Sequence, residues 1–502
     1  MKYSPFIMLN LKICSPRLMG PSLLLYFALL SCETPSQIDV GQIVPLSKGS
    51  HGLSTESILD PKSCQPCHPL HYAEWRASVH ASAADSPAFL AINRLGQEET
   101  DGSLGAFCVQ CHAPVAVALG ETTDGLNLTD LPARSRGITC AYCHQIEHVN
   151  GTYNNPLQWS QDGVMRGGIE RPQSNSAHQS QYHILLDGQK NESSRLCGAC
   201  HDIVIPSGIH LERTYQEWSE SIFASDESIQ SSSCGSCHMP SRRARTNSEL
   251  ESFSRSVSGE DYHDHLMPAV DLVYTSKHDQ ALKELTGRTL RDEVQRELDL
   301  TLLSELCAEL GVSGGADVEV YLENVSAGHR FPSGAALDRR LWVELSAYSR
   351  EGEQLFTSGE LSETEPAAYK AKDDPLMWLL RDSAFDPKGI ETHKFWEINT
   401  VDRSTLPPSR PIRSSSINDE EPHVLRRYRF GTAKAIYEIR MKVLLRPIAL
   451  EFLYDLRDLG LLDQDFIRAQ PTYELTSATL IWRADEAIPS VTLSGRELLC
   501  TQ

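Results

Sequence analysis

The sequence predicts a multidomain α+β protein, in which an N-terminal part of short helices and loops precedes a mainly β, sandwich-like C-terminal domain. Two observations predict it. Five short identical cysteine patterns fall between residues 64 and 238, too densely spaced for a conventional side-chain core. After about residue 316 the apolar residues alternate with polar ones, the period of half-buried strands. With 502 residues, 40% hydrophobic and 23% charged, the chain is long enough for two or more cores and is neither disordered nor polytopic. Its formal charge of −21 argues against a nucleic-acid partner.

The N-terminus carries Lys2, Lys12 and Arg17, then the apolar run Leu23–Leu30 and Ser31-Cys32. Basic flank, short apolar run and small residue make residues 1–31 a secretory signal, with Met1 or Met8 as its start. The run is too short to span a bilayer. Leu29-Leu30-Ser31-Cys32 resembles a bacterial lipoprotein cleavage box, making Cys32 the candidate lipid anchor. Ordinary cleavage nearby, with Cys32 an incidental thiol, is the alternative. Removal of the signal takes the charge from −21 to −24. Residues 32–60 read as a polar, flexible tether.

The five patterns occupy the expected domain 61–275. They are Cys64-Gln-Pro-Cys67-His68, Cys108-Val-Gln-Cys111-His112, Cys140-Ala-Tyr-Cys143-His144, Cys197-Gly-Ala-Cys200-His201 and Cys234-Gly-Ser-Cys237-His238. The chain's Cys and His frequencies give about 0.01 such matches by chance. The chemical reading is five covalent haem c sites. The two thiols add to the porphyrin vinyl groups, and the adjacent histidine becomes the proximal iron ligand. Zinc knuckles need no histidine after every second cysteine. A disulfide framework gives no reason for the histidines, and a thioredoxin-like site carries one motif, not five.

Between the motifs, Leu70–Ser82 has helical spacing in Tyr72, Trp75 and Val79. Pro87–Gln97 continues as a second helix, capped by Ser86 with proline at its first position. Tyr72-Ala-Glu-Trp75-Arg-Ala-Ser78-Val-His80 is echoed by Tyr215-Gln-Glu-Trp218-Ser-Glu-Ser221-Ile-Phe223. The second copy has Phe223 where the first has His80. Candidate distal ligands are His80, His178, His210, His265 and His329, with His183 and His263 as near-neighbour substitutes. His148 lies too close to His144 to reach over the same ring. His329 is singled out because it sits in Gly328-His-Arg-Phe-Pro332-Ser-Gly334, a loop leaving a strand of the second domain. Docking of that domain would insert it among the haems.

Residues 276–502 form the expected second domain. Ser276–Leu310 has helical periodicity, ended by Gly311–Gly315. The match of that glycine run to a nucleophile elbow is discounted, since the strand-turn-helix order is reversed. Strands follow around Val318, Val320 and Leu322, around Leu341, Val343 and Leu345, and around Tyr437, Ile439, Met441 and Val443. Arg350–Glu353 reads as a hairpin turn. Pro447–Gly460 reads as a helix, and residues 402–422 as a surface loop. Cys307 and Cys500 are the candidates for a disulfide.

These residues resemble the multihaem c-type cytochrome (cytochrome c-554-like) superfamily, which includes tetrahaem electron carriers, pentahaem nitrite reductases and octahaem hydroxylamine oxidoreductases. Exported members that join a haem domain to a β domain share Cys-x-x-Cys-His followed by Tyr-x-x-Trp-x-x-Ser-x-His, as in Cys64–His80, and a Gly-His-x-x-Pro-Ser-Gly loop, as in Gly328–Gly334. The resemblance implies that His80 and His329 contact haem. Pentahaem nitrite reductases carry lysine in place of histidine in one motif, whereas all five motifs here end in histidine. That departure counts against nitrite reduction by their mechanism.

The expectation is an exported electron carrier on the periplasmic side or cell surface, tethered to a bacterial membrane. It would serve other cytochromes or a membrane quinol-linked complex. The alternative is an oxidoreductase with one open haem for a small nitrogen or sulfur compound. A pyridine haemochrome assay checks the premise of both: about five haems per chain are expected, and any other count removes it.

Overall fold

The computed structural model describes residues 52–485 except 173, 174, 176, 227, 243–261, 273–279, 281, 285, 312, 313 and 410–422. The described residues fall within one compact unit. The signal, Cys32, most of the tether and Cys500 lie outside them. Cys307 is disulfide-bonded. Within the segment expected as a tether, Thr55–Leu59 is a helical turn with Leu59 buried.

The N-terminal half is built from short pieces. Its two main helices are α1 (Pro69–Ala77) and α2 (Pro87–Glu99), and a third, α3 (Thr214–Ser219), repeats the role of α1. Helix α1 ends before Ser78, and His80–Ser82 forms a separate 3-10 turn. Ser86 takes the cap position of α2, but its side chain makes no capping hydrogen bond. The last four motifs each sit on a short helical turn. Two of these turns are capped by the residue before the cysteine, Thr139 accepting from Tyr142 N and Ser233 from Ser236 N. Apolar clusters here are small, such as Phe89, Val109, Ala113, Ala116 and Leu128.

The C-terminal half opens with α4 (Leu290–Thr301), whose cap Thr289 accepts from Asp292 N. The helical expectation through Leu310 fails from Leu302 onward. Leu302–Leu310 is a strand, β1, paired antiparallel with β2 (Ala316–Asn324) from Leu302↔Asn324 to Leu310↔Ala316. Leu302, Leu306 and Leu310 recur every four residues, which satisfies strand alternation as well as a helical stripe, and pairing decides between them. Gly311–Gly315 therefore joins two strands and stops no helix. Gly314 and Gly315 have φ of 93° and 108°, and a side chain on either would meet the backbone at Thr432 or Phe430.

The strands that complete the two main sheets are β3 (Arg340–Tyr348), β4 (Gln354–Ser358), β5 (Trp378–Leu380), β6 (His423–Phe430), β7 (Glu438–Arg446), β8 (Tyr473–Glu474) and β9 (Leu480–Arg483). One sheet runs β6-β2-β1. The other runs β4-β3-β7-β8, with β5 also on β3 and β9 also on β7. Val318, Val320, Leu322, Leu341, Val343, Leu345, Ile439, Met441 and Val443, from the central strands β2, β3 and β7, share one core. Arg350–Glu353 turns between β3 and β4, and helix α5 (Leu450–Asp458) lies within the expected helical segment.

The two halves share cores. Ala73 and Ala77 of α1 belong to the sandwich cluster, and Ala88, Ala91 and Leu95 of α2 pack with Leu450, Leu453 and Leu456 of α5. Charge reinforces the seam. Arg288 donates to Glu74 Oε1 at 2.8 Å and to Asp264 Oδ2 at 2.9 Å, and both carboxylates are fully buried. Glu74 Oε2 also accepts from His265 N at 3.0 Å, so α1 holds the segment that carries His265. Arg288→Ala strips two buried carboxylates of this cation. It is expected to cost about 3–5 kcal/mol, read by denaturant titration followed by circular dichroism.

Candidate haem-binding cavity

A single cavity of about 2110 Å³ runs through the N-terminal half, lined by the cysteines and histidines of all five motifs. A site for one small molecule is typically about 300–1,000 Å³, so this one has room for several. Thiols of different motifs touch across it: Cys64 with Cys140, Cys111 with Cys200, and Cys197 with Cys234. Among the described residues no three His, Cys, Asp or Glu side chains converge on a metal-binding point, as a zinc knuckle requires.

Four motif histidines are held by Nδ1. His112 donates to Ala83 O at 2.9 Å, His144 to Arg166 O at 2.6 Å and His238 to Pro268 O at 2.9 Å. His201 Nδ1 lies 3.4 Å from Glu212 Oε1. An Nδ1–H so engaged leaves the Nε2 lone pair for a metal. Burial lowers His68 to about 4 and also depresses His112 and His144, which keeps these rings neutral near pH 7. Burial acts on His201 too, but the Glu212 hydrogen bond and charge outweigh it and raise the group to about 9.

Four motif histidines face a second imidazole. Ring centroids are 6.5 Å apart for His68 and His178, 6.2 Å for His144 and His265, 6.1 Å for His201 and His80, and 6.4 Å for His238 and His329. The planes are near parallel for His144/His265 (12°) and His238/His329 (14°), inclined at 30° for His68/His178, and near perpendicular for His201/His80 (86°). Burial lowers His80 to about 3 and His265 and His329 to about 4. His112 differs. Its ring stacks on Phe89 at 3.9 Å, and no imidazole opposes it among the described residues.

The Tyr-x-Glu-Trp repeat is structural. Trp75 Nε1 donates to Ile138 O at 2.8 Å, and Trp218 Nε1 to Ser232 O at 2.9 Å. Each acceptor stands two residues before a motif, at Cys140 and at Cys234. Ser78 and Ser221 close both turns by donating to the tryptophan carbonyls at 2.7 Å. The copies diverge at the eighth position after tyrosine: His80 faces His201, whereas Phe223 packs on Gly328, one residue before His329. The imidazole beside this position in the second copy is His329 of the β domain, which faces His238.

The loop that brings it is clamped from both sides. Asn324 Nδ2 donates to the carbonyls of Ala327, His329 and Pro407. From α3, Glu217 Oε2 accepts from Arg330 N at 3.1 Å and Ser333 Oγ at 2.9 Å, and Thr214 Oγ1 accepts from Gly334 N at 3.1 Å.

Other histidines are placed elsewhere. His210 is exposed, edge-on to Tyr153, while its neighbours Leu211 and Glu212 line the cavity. Among the described residues its ring meets no motif histidine. His183 Nδ1 accepts from Leu185 N at 3.3 Å, which places the ring hydrogen on Nε2 and makes it a poor metal ligand. His263 lines the wall and donates Nδ1 to Met239 O, and His148 is exposed. Two cavity histidines were not anticipated: His71, wedged between His68 and His265, and His393 of the C-terminal half. For His71 the signal was a histidine one helical turn after His68. For His393 there was none.

Residues 63–145 match the family model described as cytochrome c554 and c-prime. The fold is similar to that of a penta-heme cytochrome c552 from Thermochromatium tepidum, at 18% identity and a TM-score of 0.57, over 85% of this chain and 99% of that one. None of the curated proteins matches. Together these findings support a multihaem c-type cytochrome. The donor set fits covalent haem c: paired thiols, a following imidazole with Nδ1 engaged, and apolar walls including Trp75, Phe89, Phe107 and Trp218. No described helix is long and apolar enough to cross a membrane.

Spacer residues within the motifs are constrained too. A Cβ on Gly198, between Cys197 and Cys200, would fall inside the Tyr215 ring. Gly198→Ala is expected to displace Tyr215, destabilise by about 1–3 kcal/mol and lower haem attachment at Cys197 and Cys200, read as haem-peptide yield by mass spectrometry.

Proposed function

We propose that the chain is an exported, membrane-tethered pentahaem cytochrome c that relays electrons, with mostly bis-His haems. The observation that carries the reading is one cavity holding all five motifs, with four motif histidines each facing a second imidazole. An iron held between two imidazoles, with metal–nitrogen bonds of about 2.0 Å, separates their centroids by about 6.3 Å. The distances of 6.1–6.5 Å agree with that requirement. His68/His178, His144/His265, His201/His80 and His238/His329 would then be the pairs that hold four of the five irons.

Covalent haem c supplies one-electron redox chemistry. The chain's own residues fix ring orientation and bring a second imidazole opposite four of the five motif histidines, so four irons would be held on both sides, which suits a carrier. Contacts between thiols of motifs one and three, two and four, and four and five favour two groups of neighbouring haems, which the electrostatic interaction of Cys143 with Cys200 brings together. The acidic surface suits basic patches on partner cytochromes or a membrane quinol-linked complex, and Cys32 would provide the anchor. The signal-like N-terminus supports a periplasmic or cell-surface location.

One observation favours a second reading. The unopposed His112 marks its haem as the candidate open site for a small nitrogen or sulfur compound, with the other four as a wire.

Electron paramagnetic resonance of the oxidised protein tests both. The perpendicular His201/His80 pair is expected to give a strongly anisotropic low-spin signal that His80→Ala removes. His329→Ala should convert a different haem to high spin, and an unchanged spectrum would discard the axial assignment. A wild-type high-spin signal lost on adding cyanide supports the open site, and purely low-spin spectra sink it.

A further inference from the structure

The cavity wall beside the second motif carries two titratable side chains that electron relay does not use. His393 Nδ1 lies 2.7 Å from Asp338 Oδ1, with side chains 17% and 24% exposed. Both residues line the cavity. Their neighbours place them: Phe395, two residues after His393, stacks on Phe107 at 5.5 Å, and Phe107 adjoins Cys108. Leu337, next to Asp338, joins the same apolar cluster with Phe107 and Phe395. The imidazole is steadied by Phe452, whose ring stacks on it at 5.3 Å. The dyad therefore shares a cavity wall with the second motif, whose histidine, His112, has no opposing imidazole among the described residues.

The chemistry of the pair is directional. A carboxylate only accepts, so Asp338 fixes a hydrogen on Nδ1, and in the neutral ring the Nε2 lone pair is the acceptor. His393 does not stand at ring-to-ring ligation distance from His112 in the way the four pairs do. It is suited to a ligand on the iron rather than to the iron. We propose that His393, oriented by Asp338, accepts a hydrogen bond from a small ligand bound at the haem of Cys108 and Cys111. The site would then select ligands that carry a hydrogen, such as hydrosulfide, over purely accepting ones such as cyanide. This rests on the open-site reading of His112.

The test uses oxidised holoprotein and rapid-mixing absorbance with two anions, hydrosulfide and cyanide. His393→Phe is expected to weaken hydrosulfide binding about tenfold, the loss of one hydrogen bond, with cyanide within about twofold. Asp338→Asn keeps the imidazole but lets the amide donate to Nδ1, moving the ring hydrogen to Nε2. That variant is expected to weaken hydrosulfide and tighten cyanide. Equal shifts for both anions, or no shift in either variant, would overturn the role of His393. A wild-type protein that binds neither anion removes the open site itself, and this proposal with it.

Discussion

A single constraint runs through the N-terminal half: each motif imidazole must be turned so that Nε2 points into the cavity. The Cys-x-x-Cys-His turn does not do this alone. Rotation about the side chain is stopped by a hydrogen bond at Nδ1, and the acceptor comes from elsewhere in the chain. Ala83 serves His112, Arg166 serves His144, Pro268 serves His238 and Glu212 serves His201. The intervening loops have to return to within about 3 Å of a ring, which explains why short turns and two-stranded ribbons replace long helices there. The acceptor chosen also matters. Burial holds His112 and His144 low despite their carbonyl acceptors, whereas the Glu212 carboxylate outweighs burial and raises His201.

The β-sandwich is a structural part of the cavity. Asn324, at the end of a central strand, gathers the loop from beneath, and Glu217 and Thr214 of α3 hold it from above. Between these clamps His329 reaches His238. The shared apolar clusters, together with the Arg288 network, keep the halves from sliding by the ångström or so that would spoil such a placement. Wall residues Asp338, His393 and Phe452 also come from the C-terminal half, so the sandwich shapes the surroundings of the second motif as well.

The internal repeat shows which part of a duplicated unit is constrained. Both copies keep the tyrosine, the tryptophan and the serine, because each tryptophan indole anchors the strand of chain entering a later motif and each serine closes the turn behind it. The position after that turn is free to vary once another segment supplies the imidazole. Phe223 then becomes a packing surface for Gly328, where any larger residue would meet its ring.

The local chemistry was legible from residues alone. The motifs name their own cysteines and histidines because covalent attachment demands fixed spacing, and the alternation around Val318, Leu341 and Ile439 announced buried strands because side chains in a sheet repeat every two residues. The stretch Leu302–Leu310 was not legible, since leucines four apart satisfy both helix and strand, and only pairing with Ala316–Asn324 resolved it. The same limit governed the histidines. His80, His178, His265 and His329 were candidates by neighbourhood, but so was His210, which is exposed and meets Tyr153 instead. Which imidazole meets which is a contact between segments up to about a hundred residues or more apart, as for His265 with His144 and His201 with His80. Such contacts leave no periodicity in the chain, so tertiary structure alone decided them, along with the presence of His393 in the wall.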